Sequence, residues 1–331
     1  MSRALDKDVV ASLKAVKPLA AYQAISELLL ASPNGGLLEL EILPKTHQLP
    51  EGQFVLQDGC AAGVSKLGLV QAFLVARQML RGHLDEAAPQ SVDELFSVTA
   101  VMLFMDPENL TAANTRKRLL QSRITAEPEK TYVILQTEKL FLDSLLTSRL
   151  HRHTKSPTLW GHRRWLLQLF VAEGFPVDVL ADITTVVFVA GERHPRNYYA
   201  WCHARYLVGL ETGDSNDRVV TAVKQWSFKH HTDISGWSFL YFLLGSKASS
   251  GTAAGCSTLI EVVELASSLH LANESVWVFL RTLAASGLVG EEEYFWFLSA
   301  GQALLETSRA PTDQRVLRSA MQWCETYRVE A

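Results

Sequence analysis

The sequence predicts an all-α fold, a solenoid of antiparallel helix hairpins, from three observations. First, five segments align on one position: DPENLTAANTRKRLL, TKSPTLWGHRRWLL, PRNYYAWCHARYLV, HTDISGWSFLYFLL and LANESVWVFLRTLA. That position is held by Ala113, Trp160, Trp201, Trp237 and Trp277, at steps of 47, 41, 36 and 40 residues, the spacing of helical-hairpin repeats. Second, four residues earlier stands Asn109, Ser156, Asn197, Asp233 or Asn273. Each has a short polar side chain that can accept from the open N–H groups at a helix start. Third, six residues later every copy has leucine: Leu119, Leu166, Leu207, Leu243 and Leu283. On a helical wheel the aromatic, the +4 and the +7 positions share a face, while the +6 leucine lies about 120° away. Such a helix is buried on two sides, as stacking between neighbouring hairpins requires.

Taken in chain order, residues 1–90 form a divergent N-terminal helical region. ALDKDVVASLKAVKPLAAYQAISELLL reads as a helix interrupted near Pro18, LLELEILP at 37–44 as a short extended segment, and KLGLVQAFLVARQML at 66–80 as a second helix. Residues 91–290 hold the five repeats. Pro157 directly after Ser156 supports a helix start there, because proline at the first helical position loses an N–H that would be unpaired anyway. Partner helices are expected at 130–150, 177–193 and 218–230. Loops are read by composition at AEGFP (172–176), ETGDSND (211–217) and GSKASSGTAAG (245–255). Residues 291–331 supply a capping pair, EEEYFWFLSAGQALLE and DQRVLRSAMQWCETYR.

Composition narrows the function classes. With 48% hydrophobic and 20% charged residues the chain is of ordinary globular make-up. No stretch approaches the roughly 18 uncharged apolar residues of a membrane span, and MSRALDKDVV lacks the apolar core of a signal peptide, so a cytoplasmic location is expected. Cys60, Cys202, Cys256 and Cys324 are widely separated and contain no CxxC pair, which points to neither a zinc site nor a disulfide framework. A net charge of −4 gives no bulk attraction to nucleic acid. There is no phosphate loop, nucleophile elbow or metal cluster to support a self-sufficient enzyme.

The spelling within the repeats is more specific than a generic helical hairpin. NYYAWCHARYLV and SPTLWGHRRWLL resemble the N-Y-x-x-W-x-x-R-R-x-L-L signature of protein prenyltransferase alpha subunits, and NESVWVFLRTL resembles its closing N-E-S-x-W variant. The resemblance covers about residues 95–290. It implies a right-handed alpha-alpha superhelix that wraps a beta subunit, the partner holding zinc and the isoprenoid; no cofactor is implied in this chain. The divergent N-terminal region and Ala113 in place of tryptophan are most similar to the family's subgroup of repeat-containing proteins. For these the resemblance implies the alpha subunit of a type III geranylgeranyltransferase, paired with the Rab geranylgeranyltransferase beta type. The implied substrates are an isoprenoid diphosphate and a protein acceptor with C-terminal cysteines. The family's diphosphate-contacting lysine falls on Lys155, the implied catalytic residue, and its N-Y-H run falls on Asn197, Tyr198 and Tyr199 as substrate-binding residues. Tyrosine at 199 can donate one hydrogen bond but carries no positive charge. Tyr241 likewise replaces the basic +4 residue of the fourth repeat.

Structural readings accompany these. Asn197 is explained as an N-cap, and a lysine before a cap is commonly a solvated side chain. His162, Arg163, Arg164, Arg205 and Arg281 read either as an anion-binding stripe or as arginines that pair with carboxylates or stack on the repeat tryptophans. His151 with His153, and His230 with His231, lack the i, i+4 spacing and nearby acid of helical zinc sites. A helical scaffold that binds a protein partner without lipid chemistry is the alternative function.

Overall fold

The computed structural model describes residues 18–328 apart from 32–34, 45, 48, 89, 211–215 and 246–251. The N-terminal part of the helix expected before Pro18 lies outside the described residues. The chain is mostly helical and divides into two compact units, Met1–Val177 and Asp178–Ala331. The division falls between the second and third repeats.

In the first unit, α1 (Pro18–Leu30), α2 (Lys66–Leu84) and α3 (Val92–Met105) pack on one another, and α3 carries the stack on to α4 (Leu110–Ala126), α5 (Thr131–Leu146) and α7 (Pro157–Ala172). A single turn, α6 (His151–Thr154), leads into α7. Between α1 and α2 lies a small sheet of order β1–β3–β2: β1 (Glu39–Leu43) runs parallel to β3 (Ala61–Ser65), and β2 (Val55–Asp58) antiparallel to it. The extended segment read at 37–44 is therefore β1, but it belongs to a sheet that the all-α expectation does not contain. Leu40, Leu43, Ala62 and Val64 bury this sheet. Gly63 leaves room for the Leu43 side chain, whose Cδ2 would lie 2.5 Å from an added Cβ and would have to shift. The Ser144 hydroxyl of α5 accepts from the Leu38 N–H at 2.9 Å and helps fix the sheet to the repeats.

In the second unit, α8 (Val179–Asp182) and α9 (Phe188–Arg193) are one helical run widened by a π turn at Ile183–Val187. There follow α10 (Tyr198–Val208), α11 (Asn216–Lys229), α12 (Ile234–Leu244), α13 (Thr252–Ser268), α14 (Glu274–Ala284), α15 (Glu291–Thr307) and α16 (Pro311–Tyr327). Two loop readings ran too long: Asn216 and Asp217 already open α11, and Thr252–Gly255 already belong to α13.

The five repeat helices start as expected. The side chains of Asn109, Ser156, Asn197, Asp233 and Asn273 accept from the backbone N–H of Ala112, Leu159, Ala200, Ser235 and Val276 respectively. Ala113, the four register tryptophans and the five +6 leucines are all buried, which is the two-sided burial of a stacked helix. A further regularity holds the indoles: Trp160, Trp237 and Trp277 donate through Nε1 to the carbonyl six residues earlier, on Thr154, His231 and Leu271, at 2.8, 3.0 and 2.8 Å. Around Trp201 the packing is aromatic, with Trp226 at 4.9 Å and Phe239 at 5.4 Å between ring centroids. Gly236 in α12 makes room for Trp226, whose Cζ3 would lie 2.5 Å from an added Cβ.

Candidate functional site

The segments before the caps, where the implied site residues fall, are stitched to the preceding repeat. In the first unit the Ser156 hydroxyl, while capping α7, donates to the Pro107 carbonyl at 3.1 Å, and the Thr158 hydroxyl donates to Glu108 at 2.7 Å. Arg152 meets Asp106 at 3.0 Å. In the second unit Asp233 accepts from the Arg196 N–H at 2.8 Å, and the Ser275 hydroxyl donates to the Thr232 carbonyl at 2.9 Å. Within each unit, the starts of neighbouring repeat helices are thereby held side by side. Open N–H groups at a helix start favour negative charge, so such a segment suits an anionic group.

Lys155 closes the single turn α6, its backbone N–H donating to the His151 carbonyl at 3.3 Å, and its side chain is half-buried. It stands one residue before the Ser156 cap of α7. Asn197 is fully buried as the cap of α10. Tyr198 and Tyr199, in the first turn of α10, are 70% and 40% exposed, with rings edge to face at 5.5 Å. The Tyr198 phenol bonds to the Cys202 thiol, which raises its pKa. The structure thus brings the three residues of the N-Y-Y run together, two of them at the surface, while Lys155 belongs to the other unit.

Beneath the caps of the first unit lies an ionic network that the sequence reading did not single out as such. Arg116 Nε donates to both carboxylate oxygens of Glu138, at 2.8 and 2.9 Å, and Nη1 reaches the Phe96 carbonyl at 2.8 Å. Its guanidinium lies 4.0 Å from the Phe141 ring centroid. Arg163 Nε meets Asp143 at 2.6 Å, and Lys139 meets the same carboxylate at 3.0 Å. Burial raises the Glu138 pKa beyond what Arg116 offsets. At Asp143 burial pushes upward too, but Arg163 and Lys139 together hold the carboxyl below its ordinary range. His162, fully buried beside Glu138, is held well below the imidazole range by burial and by the charges of Lys117 and Arg116. The available signal is positional: Arg116 and Arg163 occupy the +3 site of their repeats, and Glu138 and Asp143 interrupt the apolar pattern of the helix between them.

Arg163, Arg205, Arg281, His153, His230 and His231 take structural places. Arg163 pairs with a carboxylate. Arg205 lies over Phe242 at 5.3 Å and Phe239 at 5.7 Å, and Arg281 over Trp323 at 5.2 Å, so both stack on rings of a following helix rather than on their own repeat tryptophan. His153 is buried against the Phe104 carbonyl at 2.9 Å, and burial lowers its pKa to about 4. His230 stacks on Trp226 at 4.3 Å, and His231 Nδ1 meets the Asn273 side chain at 3.1 Å. Among the described residues no three His, Cys, Asp or Glu side chains are grouped so as to hold a metal ion. No helix of the described residues is long and apolar enough to cross a membrane.

Comparison with known proteins places this geometry in context. A family model described as the ECM9 middle domain matches residues 159–254. The chain is 33% identical over 175 residues to protein prenyltransferase alpha subunit repeat-containing protein 1-B of Xenopus laevis, covering 46% of this chain and 38% of that protein. To the Homo sapiens protein prenyltransferase alpha subunit repeat-containing protein 1 it is also 33% identical, covering 46% of this chain and 40% of that protein. The geranylgeranyl transferase type-2 subunit alpha of Dictyostelium discoideum is 28% identical over 141 residues, 42% of this chain and 40% of that protein. The matches therefore span about two fifths of these relatives' own length. Over that stretch the chain is a relative of the prenyltransferase alpha-subunit repeat proteins.

Proposed function

We propose that this chain acts as the alpha-type subunit of a heterodimeric protein geranylgeranyltransferase, in the cytoplasm, wrapping a beta subunit of the Rab geranylgeranyltransferase type. In this reading the beta subunit carries the zinc and the isoprenoid pocket. The alpha chain contributes to the diphosphate end and to the protein acceptor, whose C-terminal cysteine becomes a thioether. The acceptor's thiolate sulfur attacks the allylic carbon as the carbon–oxygen bond breaks and diphosphate leaves. A cation near that leaving group stabilises the charge developing on it, and Lys155 is the residue assigned to this task. Asn197, Tyr198 and Tyr199 are assigned to substrate binding in the same reading.

The observation that carries the reading is the repeat itself. Five capped helices with the same buried register support an alpha-type subunit, and the likeness to a protein named as a geranylgeranyl transferase alpha subunit points the same way. A specific departure favours a second reading, a helical scaffold without lipid chemistry: position 199 carries tyrosine where the resemblance implies histidine, so one cationic group is lost from the mouth while the fold-bearing residues persist. Coexpression with candidate beta subunits, followed by mass spectrometry of whatever copurifies, separates the two. A stoichiometric beta subunit with zinc and prenylation activity supports the enzyme. A stable complex with another protein, and none with any beta subunit, supports the scaffold.

A further inference from the structure

A second cleft, away from the N-Y-Y run, has a chemistry of its own. It lies between the packed helices α14 and α16, with a volume of about 210 Å³, and its lining includes Trp277, Val278, Val316, Arg281, Arg315 and Glu274. Two of these side chains are guanidinium groups. Arg281 is clamped: its guanidinium lies 5.2 Å from the Trp323 ring centroid, and its backbone carbonyl accepts from the Cys324 thiol at 3.4 Å. Its Nε is nonetheless buried, and among the described residues it has no hydrogen-bond partner. A buried donor left unpaired is costly, and a charged one more so, so its presence calls for a partner that completes it. Arg315, on the opposite helix, is exposed.

We propose that this cleft binds the carboxylate of an acidic side chain from a polypeptide partner, held between Arg281 and Arg315. The apolar walls supplied by Trp277, Val278 and Val316 suit the methylenes behind such a carboxylate. Arginine's planar fork matches two carboxylate oxygens. The cleft has the size of a side chain. Glu274 supplies one opposing charge, which makes the site better suited to a single negative charge than to a multiply charged phosphate. This inference does not rest on the catalytic reading of Lys155, because the cleft lies between the last repeat helix and the C-terminal capping pair.

The test uses the full chain and a fluorescein-labelled hexaglutamate peptide, read by anisotropy at low and at physiological salt. Arg315→Ala and Arg281→Ala should each weaken binding by about tenfold, the worth of one charge-assisted hydrogen bond. Arg318→Ala, which removes the same charge from an exposed site on α16, should change it less than about twofold, as surface charges away from a contact do. Glu274→Gln should tighten binding. If Arg281→Ala does not fold, as judged by circular dichroism, Arg315→Ala and Glu274→Gln still decide the matter. Equal losses from Arg315→Ala and Arg318→Ala would reduce the site to general electrostatics and overturn the proposal. So would an absence of peptide binding, or binding of inorganic phosphate in preference to the peptide.

Discussion

Phenylalanine substitutions at Trp201 and Trp237 separate packing from hydrogen bonding in the repeat helices. Both indoles are buried, at 1% and 0% exposure, and both belong to the second unit, so they report on the same compact body. They differ in one respect. Trp237 Nε1 donates to the His231 carbonyl at 3.0 Å, whereas Trp201 Nε1 is buried with no partner among the described residues. Replacing either ring with phenylalanine removes roughly 40 Å³, worth about 1 kcal/mol of cavity at ~24 cal/mol per Å³, and about 1 kcal/mol more of lost transfer energy. At Trp237 the substitution also strands a carbonyl, adding about 1–3 kcal/mol, while at Trp201 it removes an unsatisfied N–H and recovers a similar amount. Trp237→Phe should therefore cost about 3–5 kcal/mol and Trp201→Phe about 1 kcal/mol or less. Urea unfolding of the full chain at 25 °C, followed by far-ultraviolet circular dichroism and fitted with two transitions, measures the difference. Equal costs would refute the assignment of the indole hydrogen bond as a repeated energetic element. As a control, each alanine variant should cost more than its phenylalanine counterpart, because the cavity is larger, with Trp201→Ala below Trp237→Ala.

Three further outcomes follow from the buried charges and from the proposed site. Asp143→Asn leaves Arg163 and Lys139 without their shared carboxylate, so the chain should lose about 3–5 kcal/mol in urea unfolding, whereas Asp85→Asn, at an exposed pair, should leave the midpoint unchanged. His153 is held neutral in the fold, with its pKa lowered to about 4 from 6.5. The unfolded chain then binds more protons between those values, so His153 contributes stability that is complete above pH 6.5 and lost as pH falls toward 4, about 3 kcal/mol in all. His153→Gln should flatten that part of the stability-versus-pH curve, and an unaltered slope would contradict it. Lys155→Ala, in a heterodimer with a beta subunit, should lower single-turnover prenylation by about ten- to a thousandfold, more than it lowers lipid affinity, with assembly measured separately; unchanged assembly, affinity and turnover would favour the scaffold.

The legible parts of this molecule are those in which one residue type has one physical job. A short polar side chain four residues before a tryptophan can cap a helix, and all five candidates do. A leucine at +6 must be buried if the helix is stacked, and all five are. The small sheet was less visible because β2 is a four-residue strand with a mostly exposed pattern, although Gly59-Cys60 makes a two-residue connection between Asp58 and Ala61, with glycine first at a φ of 57°. The ionic network was hidden for another reason. Carboxylate pairing is one of the readings open to Arg163, but neither Arg116 nor the acids Glu138 and Asp143 stand out locally, because a pairing 20 or more residues apart has no local signature. Lys155, Tyr198 and Tyr199 sit where the register puts them, but register alone assigns no chemistry to them.

That contrast bears on where function can change in such a protein. The cap, the indole or its small substitute, and the +6 leucine are committed to stacking, so a substitution there is felt as stability. The first repeat shows the tolerance of the scheme: Ala113 replaces the indole, yet the same helix keeps its Asn109 cap and, at Arg116, a buried ion pair with Glu138 at the register position where Arg163 pairs with Asp143 in the second. Positions outside the register carry no such obligation. Tyr198, Tyr199 and Arg315 are exposed, and altering them costs the fold little. A repeat of this kind can therefore vary exposed positions such as Tyr199 and Arg315 without losing its architecture. Kinship in the repeats speaks to how the chain stacks, and the exposed residues between them decide what it binds.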